Sequence, residues 1–546
     1  MRSRPRIVVS TFALCGAIAA SALASGGGNI VTTADRTGST ATPIKHLVVI
    51  FQENVSYDHY FATYPNALNP AAEPAFIARA GTAAGNGLTG PLLTLNPNLS
   101  QPQRLDRSQA ITCDQSHEYT AEQTAFDHGL MDQFVQSTGA GKTELQCTGK
   151  TAPGSVSPND AVMDYYDGNT TTALWNYAQH FAMSDNNFTT GFGPSTPGVL
   201  NLVAGNTFGA TCGTSSAVFG AVSACASTAG SAGPKAPQGP ATVYSDADPH
   251  YDVCSSGSTI GMGGSNVGDL LNTAGATWGW FEGGFSSPGY VPGQLSTDNP
   301  ATVCTGAHTN IGGSLQSDYS AHHEPFQYYP QTANPLHLPP TSVEAVGHQD
   351  QANHQYDLAD FWAAANQDDM PAVSFLKAPR YQDGHAGYSD PLDEQHFLVD
   401  TINRLQKLPS WKDTAVVITY DDTDGWYDHV MPPVVAQSQT SLDTLTNPAQ
   451  CGATTADVPS AQQARCGYGG RVPLLVISPY SRQDTVYSGI TDQSSITRFI
   501  EDNWGLPRVG GGSLDAAAGQ LNGLFNFTVR HDEPLILNPT TGRGVG

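Results

Sequence analysis

Two adjacent carboxylates, Asp421 and Asp422, follow directly on the apolar run Ala415-Val416-Val417-Ile418-Thr419-Tyr420. Such a run reads as a strand buried on both faces. The carboxyl end of a parallel strand is where open α/β sheets place their ligands. Neighbouring carboxylates repel one another unless positive charge lies between them, and a divalent cation meets that need. An Asp-rich turn is the other use of these residues, with Asp424, Asp428 and His429 close behind. The pattern recurs near the amino-terminal end. Ile44 to Phe51 is a second apolar run, and it leads to Glu53 and Asn54, both oxygen donors for a hard cation. Asn54 or Ser56 would equally suit the cap of a following helix.

A nucleophile is available in Gly191-Phe192-Gly193-Pro194-Ser195-Thr196-Pro197-Gly198, where two prolines frame Ser195 at a predicted helix start. Free amides at a helix N-terminus attract anions, so a hydroxyl there is well placed against phosphate. A capping serine would have the same sequence. Three histidines complete the inventory. His117 opens a helical segment running from Asp114 to about Phe134. His323 stands in His322-His323-Glu324-Pro325-Phe326, and His385 lies in the Asp383-Gly384-His385 loop. The stretch also carries His348 and His354, yet no HExxH spacing supports a zinc motif.

The elements that must position these groups alternate. Ala372 to Lys377 and Arg471 to Ser478 read as further strands, and Thr172–Phe181, Glu394–Leu405 and Ser494–Trp504 as helices. That order predicts an α/β domain with a mostly parallel sheet between helical layers. No GxGxxG, GxSxG or GxxxxGK[ST] motif follows a strand, which argues against dinucleotide, α/β-hydrolase and P-loop sites. Residues 63 to 110 read as surface loop. Residues 205 to 320 are rich in Gly, Ser and Ala and carry four cysteines, as expected of a disulfide-pinned insertion. Within them, Trp278-Gly279-Trp280-Phe281 reads as a core strand.

The first 24 residues, with arginines at 2, 4 and 6, an apolar run and Ala22-Leu23-Ala24, read as a secretory signal peptide. Residues 25–42 read as a flexible leader and 43–546 as the functional domain. Eight cysteines remain beyond the signal peptide, an even count that suits disulfides in an exported protein. Spacing suggests the pairs Cys113–Cys147, Cys212–Cys225, Cys254–Cys304 and Cys451–Cys466. The net charge of −25 disfavours nucleic acid as a partner. No second long apolar segment appears, so no integral membrane segment is expected in the mature chain.

Taken together, the segments IKHLVVIFQENVSYDHYF (44–61), FGPSTPGVLN (192–201), HHEPFQYY (322–329), DGHAGYSDPLDEQ (383–395), YDDTDGWYDH (420–429), RVPLLVISPYSR (471–482) and SSITRFIEDNW (494–504) resemble a bacterial phosphoesterase family. That family contains acid phosphatase A and the phosphocholine-type phospholipases C. The resemblance implies an alkaline-phosphatase-like fold. It also implies one divalent metal, of Mg, Ca, Mn or Zn type, held by Glu53, Asn54, Ser195, Asp421 and Asp422. Ser195 would be the nucleophile, and His117, His323 and His385, with Asn54, would bind the phosphate. His323 or His385 would act as general acid, giving an acidic pH optimum. Asp424, Asp428 and His429 would only shape the loop. Phospholipases of the family usually carry Thr where this chain has Ser195, so the expected activity is a secreted or periplasmic acid phosphatase acting on phosphate monoesters through a phosphoserine. The alternative is a phospholipase C cleaving phosphatidylcholine-type diesters. The expected partners are small phosphorylated molecules or phospholipid head groups.

Overall fold

A computed structural model describes residues 39–139, 144–148, 160–211, 215–216, 220–221, 228–229, 241–256, 259–293, 302–453 and 460–545. The expected signal peptide, most of the leader and the pair Cys212–Cys225 lie outside these residues. The central sheet contains β1 (His46–Gln52), β2 (Ala182–Ser184), β3 (Trp278–Glu282), β4 (Gln355–Asp357), β5 (Val373–Lys377), β6 (Thr414–Tyr420), β7 (Leu474–Ile477) and β8 (Thr485–Tyr487). Its order is β4-β3-β5-β1-β6-β7-β2-β8. Neighbours from β4 to β6 all run parallel, β7 is antiparallel to β6 and β2, and β8 runs parallel to β2. The α/β class with a mostly parallel sheet is therefore as expected from the alternation of elements.

Side chains on a strand alternate between faces, and both faces here are covered. From β1, Leu47, Val49 and Phe51 join one core while Val48 and Ile50 join the other. From β6, Ala415 and Val417 go with the first set and Val416, Ile418 and Tyr420 with the second. Helices α2 (Thr172–His180), α4 (Leu358–Asn366) and α5 (Pro391–Leu405) pack on the Val48 face. Helices α3 (Ser195–Ala204) and α6 (Ser494–Trp504) pack on the Leu47 face. A further helix, α1 (Tyr119–Phe126), belongs to a separate cluster with Phe192 and Tyr427.

Register decides what meets at the sheet's carboxyl edge. Gln52 lies opposite Tyr420, so the next residues, Glu53 and Asp421, emerge side by side. Ile50 lies opposite Leu376, which brings Lys377 to the same edge. Trp278 to Glu282 forms β3 inside the central sheet, so this part of the 205–320 stretch is core, as its aromatic content led one to expect. Disulfides join Cys113–Cys147, Cys254–Cys304 and Cys451–Cys466, three of the expected pairs. No helix among the described residues is long and apolar enough to cross a membrane.

Candidate active site

The three parallel strand ends and the first turn of α3 converge on one buried cluster of oxygens. Ser195 is the first residue of α3 and is buried. Its Oγ donates to Glu53 Oε2 at 3.0 Å and lies 3.3 Å from Asp422 Oδ2. Helix α3 approaches the end of β6 closely because residue 198 is glycine. A Cβ on Gly198 would stand 2.3 Å from the Asp421 carbonyl oxygen. The expected alternative for Ser195, a capping hydroxyl, is not what forms, since no side chain caps α3. Ser56 does cap, accepting from the His59 amide.

Asn54 adopts the left-handed conformation at φ 42°, which asparagine tolerates better than most residues. Its backbone amide donates to Asp421 Oδ1 at 3.2 Å. One end of its side-chain amide stands 2.7 Å from Glu53 Oε2 and 2.9 Å from Asp421 Oδ1, and the other end stands 3.0 Å from His385 Nε2. Within the loop, the Asp422 amide donates to Asp421 Oδ1 at 2.8 Å and the Asp424 amide to Asp422 Oδ1 at 2.6 Å. Gln493 donates to the Asp421 carbonyl from the start of α6.

Burial raises the pKa of Glu53 well above the usual carboxylate value, and Asp421 beside it adds to the rise. Asp422 is raised by the same two causes in the same order. Lys377 answers Glu53, and His117 answers Asp422. Lys377 reaches Glu53 Oε1 in a fully buried contact. Burial opposes its charge, but Glu53, Asp421 and Asp383 outweigh it and hold its pKa above the ordinary lysine value. Three carboxylates, an asparagine and a serine hydroxyl are hard oxygen ligands. With Lys377 against Glu53 and His117 beside Asp422, the carboxylates still outnumber the cationic groups, and these residues fit a divalent cation.

The three expected histidines all reach this edge but differ in charge. His323 is buried, and its Nδ1 lies 3.4 Å from Glu53 Oε1. Burial pushes its pKa well below the usual histidine value, with Lys377 reinforcing the effect. His385 is pushed down likewise, by burial and then by His117. His117 goes the other way. Burial alone would lower it, but Asp422 and Asp424 outweigh that and raise its pKa well above the usual value. Its Nδ1 sits 3.0 Å from Asp424 Oδ1, and its ring meets that of His385 edge-on at 6.0 Å.

Three contributors were not assigned a site role from the sequence. Lys377 appeared only as the last residue of a strand, although a charge ending a buried run was the available signal. Asp424, expected to shape the loop, instead grips His117. Glu122 ties the loop before Ser195 to the acidic loop, accepting from the Gly193 amide at 2.9 Å and from Thr423 Oγ1 at 2.6 Å. Burial raises its pKa to about 7.

A match to the Phosphoesterase family covers residues 44–507. The chain belongs to the Phosphoesterase family. Its similarity to curated members is more local. It is 32% identical over 186 residues to a non-hemolytic phospholipase C of Pseudomonas aeruginosa, covering 32% of this chain and 26% of that protein. It is 33% identical over 170 residues to a non-hemolytic phospholipase C of Burkholderia pseudomallei, covering 29% and 23%. It is 29% identical over 188 residues to phospholipase C A of Mycobacterium tuberculosis, covering 34% and 35%. The matched stretches thus span about a quarter to a third of these relatives' length. Among solved structures, one similar chain is a Vibrio parahaemolyticus protein in the alkaline phosphatase superfamily, at 12% identity and a TM-score of 0.27, with 64% of each chain covered. Another is human ectonucleotide pyrophosphatase/phosphodiesterase 5, at 13% identity and a TM-score of 0.29, covering 64% of this chain and 95% of that one.

Proposed function

We propose that this protein is a metal-dependent phosphoester hydrolase of phospholipase C type, which splits a phospholipid phosphodiester through a phosphoserine at Ser195. The observation that carries the hydrolase reading is the Ser195 hydroxyl set between the Glu53 and Asp422 carboxylates at the N-terminus of α3. The names of the curated relatives favour the diester substrate. A divalent cation held by Glu53, Asn54, Asp421, Asp422 and Ser195 would acidify the hydroxyl and offset charge developing on phosphate oxygens.

Ser195 Oγ, its proton released to solvent before the attack, bonds to phosphorus, the ester bond to the leaving alcohol breaks, and the phosphoryl head group stays on Ser195. His117 delivers a proton to the leaving oxygen, because Asp422 and Asp424 keep the ring charged and Asp424 holds its Nδ1. His323 and His385, buried and neutral, serve as hydrogen-bonding walls of the phosphate site. Water then cleaves the phosphoserine, with His117 accepting the proton it earlier gave. A charged His117 extends activity above the pH at which an ordinary histidine loses its proton, against the acidic optimum expected from unperturbed histidines. The disulfides and the predicted signal peptide support action outside the cytoplasm.

A phosphate monoesterase of the acid phosphatase type is the second reading, supported by serine at position 195 in GPSTPG. Hydrolysis of p-nitrophenylphosphorylcholine and of p-nitrophenyl phosphate, compared from pH 4 to 9, tests both. Faster turnover of the diester supports the phospholipase reading. Turnover confined to the monoester overturns it in favour of the phosphatase.

A further inference from the structure

The proposed metal site accounts for one side of the Glu53 carboxylate and leaves the other facing a different set of groups. Oε2 accepts from Ser195 at 3.0 Å. Oε1 faces His323 Nδ1 at 3.4 Å and the Lys377 ammonium. Glu53, His323 and Asp383 each offer a ligand atom, and these atoms lie within 4.8 Å of one another. All three residues are buried. Asp383 is held in place by the His385 amide at 3.0 Å and by the Tyr388 hydroxyl at 3.1 Å. His323 Nδ1 is buried without a hydrogen-bond partner, an arrangement that usually calls for an explanation.

Two carboxylates and an imidazole nitrogen are a donor set for a transition-metal ion. A carboxylate with one oxygen turned to each of two cations is how a bridging ligand is placed. The position facing Oε1 is occupied by the Lys377 ammonium, delivered by the end of β5 and itself fully buried.

Resting on the metal-dependent reading above, we propose that Lys377 plugs a latent second cation site made by Glu53, His323 and Asp383. The ammonium supplies a fixed positive charge where a second divalent ion would otherwise sit, and so keeps the centre mononuclear. A lysine in this role cannot be stripped by chelators, whereas the first cation can.

Metal content of the full-length protein tests this. After dialysis against manganese chloride, the wild type should carry one Mn²⁺ per chain, with the resolved six-line paramagnetic resonance spectrum of an isolated ion. Lys377→Ala removes the charge and opens space, and should carry two. Its spectrum should show spin coupling between ions about 3.5–4 Å apart, the spacing of two-metal sites. Lys377→Ala combined with Asp383→Asn should return to one. If Lys377→Ala fails to fold by circular dichroism, Lys377→Ser carries the same expectation. A folded Lys377 variant that still binds one ion overturns the proposal and leaves the mononuclear reading standing. Two ions in the wild type overturn the proposal alone, and so does a double variant that keeps two. A wild type that binds no divalent ion overturns both.

Discussion

Two buried acidic clusters grow from the same loop, Asp421 to His429, and they resolve their charge in opposite ways. At the far end of the loop, Asp428 and Asp58 face Arg471, which is fully buried. Arg471 Nε meets Asp428 Oδ1 at 2.9 Å and its Nη2 meets Asp58 Oδ1 at 3.2 Å. Its Nη1 donates to the carbonyls of Asn86 and Asp185 at 2.9 and 2.8 Å. His429 Nδ1 adds a contact to Asp58 Oδ2 at 2.6 Å. Two carboxylates thus face two cationic groups, and burial's cost is offset by hydrogen bonds on nearly every atom. At the near end, Glu53, Asp421, Asp422, Asp424 and Asp383 outnumber the cationic groups they face, Lys377 and His117. A matched cluster is scaffold, and an unmatched one of the same residue types is a site awaiting charge from outside.

That contrast can be broken by substitution, with effects on turnover that should fall in a definite order. Ser195→Ala should lower kcat by something on the order of 10⁶-fold, as expected when the nucleophile of a covalent mechanism is removed. No phosphoenzyme should then be trapped by acid quench, and near-normal turnover would remove Ser195 from the mechanism. His117→Ala should cost about 10²- to 10⁴-fold in kcat, the usual worth of a general acid. An equal loss for His323→Ala with His117→Ala unaffected would reassign the role.

Asp424→Asn should act through pH. A general acid works while protonated, so activity persists below its pKa and is lost as pH rises through it. Asp424 helps raise the His117 pKa, so its removal lowers that pKa and moves the alkaline limb of the kcat profile to lower pH. At a fixed pH on that limb, the rate falls about tenfold for every pH unit the limb moves. An unmoved limb would show that Asp424 does not set the charge of His117. Arg471→Met should have the smallest effect on rate, with kcat/KM per folded molecule unchanged. Stability should nevertheless fall by about 3–5 kcal/mol in denaturant titration, because two buried carboxylates lose their partner. A folded Arg471→Met protein without activity would erase the distinction between scaffold and site.

The sheet was largely legible from sequence because its central strands are continuous apolar runs, and such runs need both faces covered. The disulfide pairs at 113–147, 254–304 and 451–466 were legible from spacing. The strand at 182–184 and the short edge strands were not, since two or three residues carry no period. The helix expected from 114 to 134 is regular only over Tyr119–Phe126, and the chain then turns through left-handed Asp127 and His128 before a further short turn.

Glu53, Asn54, Asp421 and Asp422 could be named from the chain alone because each follows a buried strand, and strand ends in a parallel sheet share one edge. Ser195 could be named because two prolines and a helix start bracket it. What only the tertiary structure decided was charge. Lys377 lies 324 residues from Glu53, and nothing in either neighbourhood announces the pairing. Asp424 passes for loop until it is seen against His117, and three similar histidines become one cation and two neutral groups. Protonation depends on what surrounds a group in every direction, and that is settled by packing between segments distant in the chain.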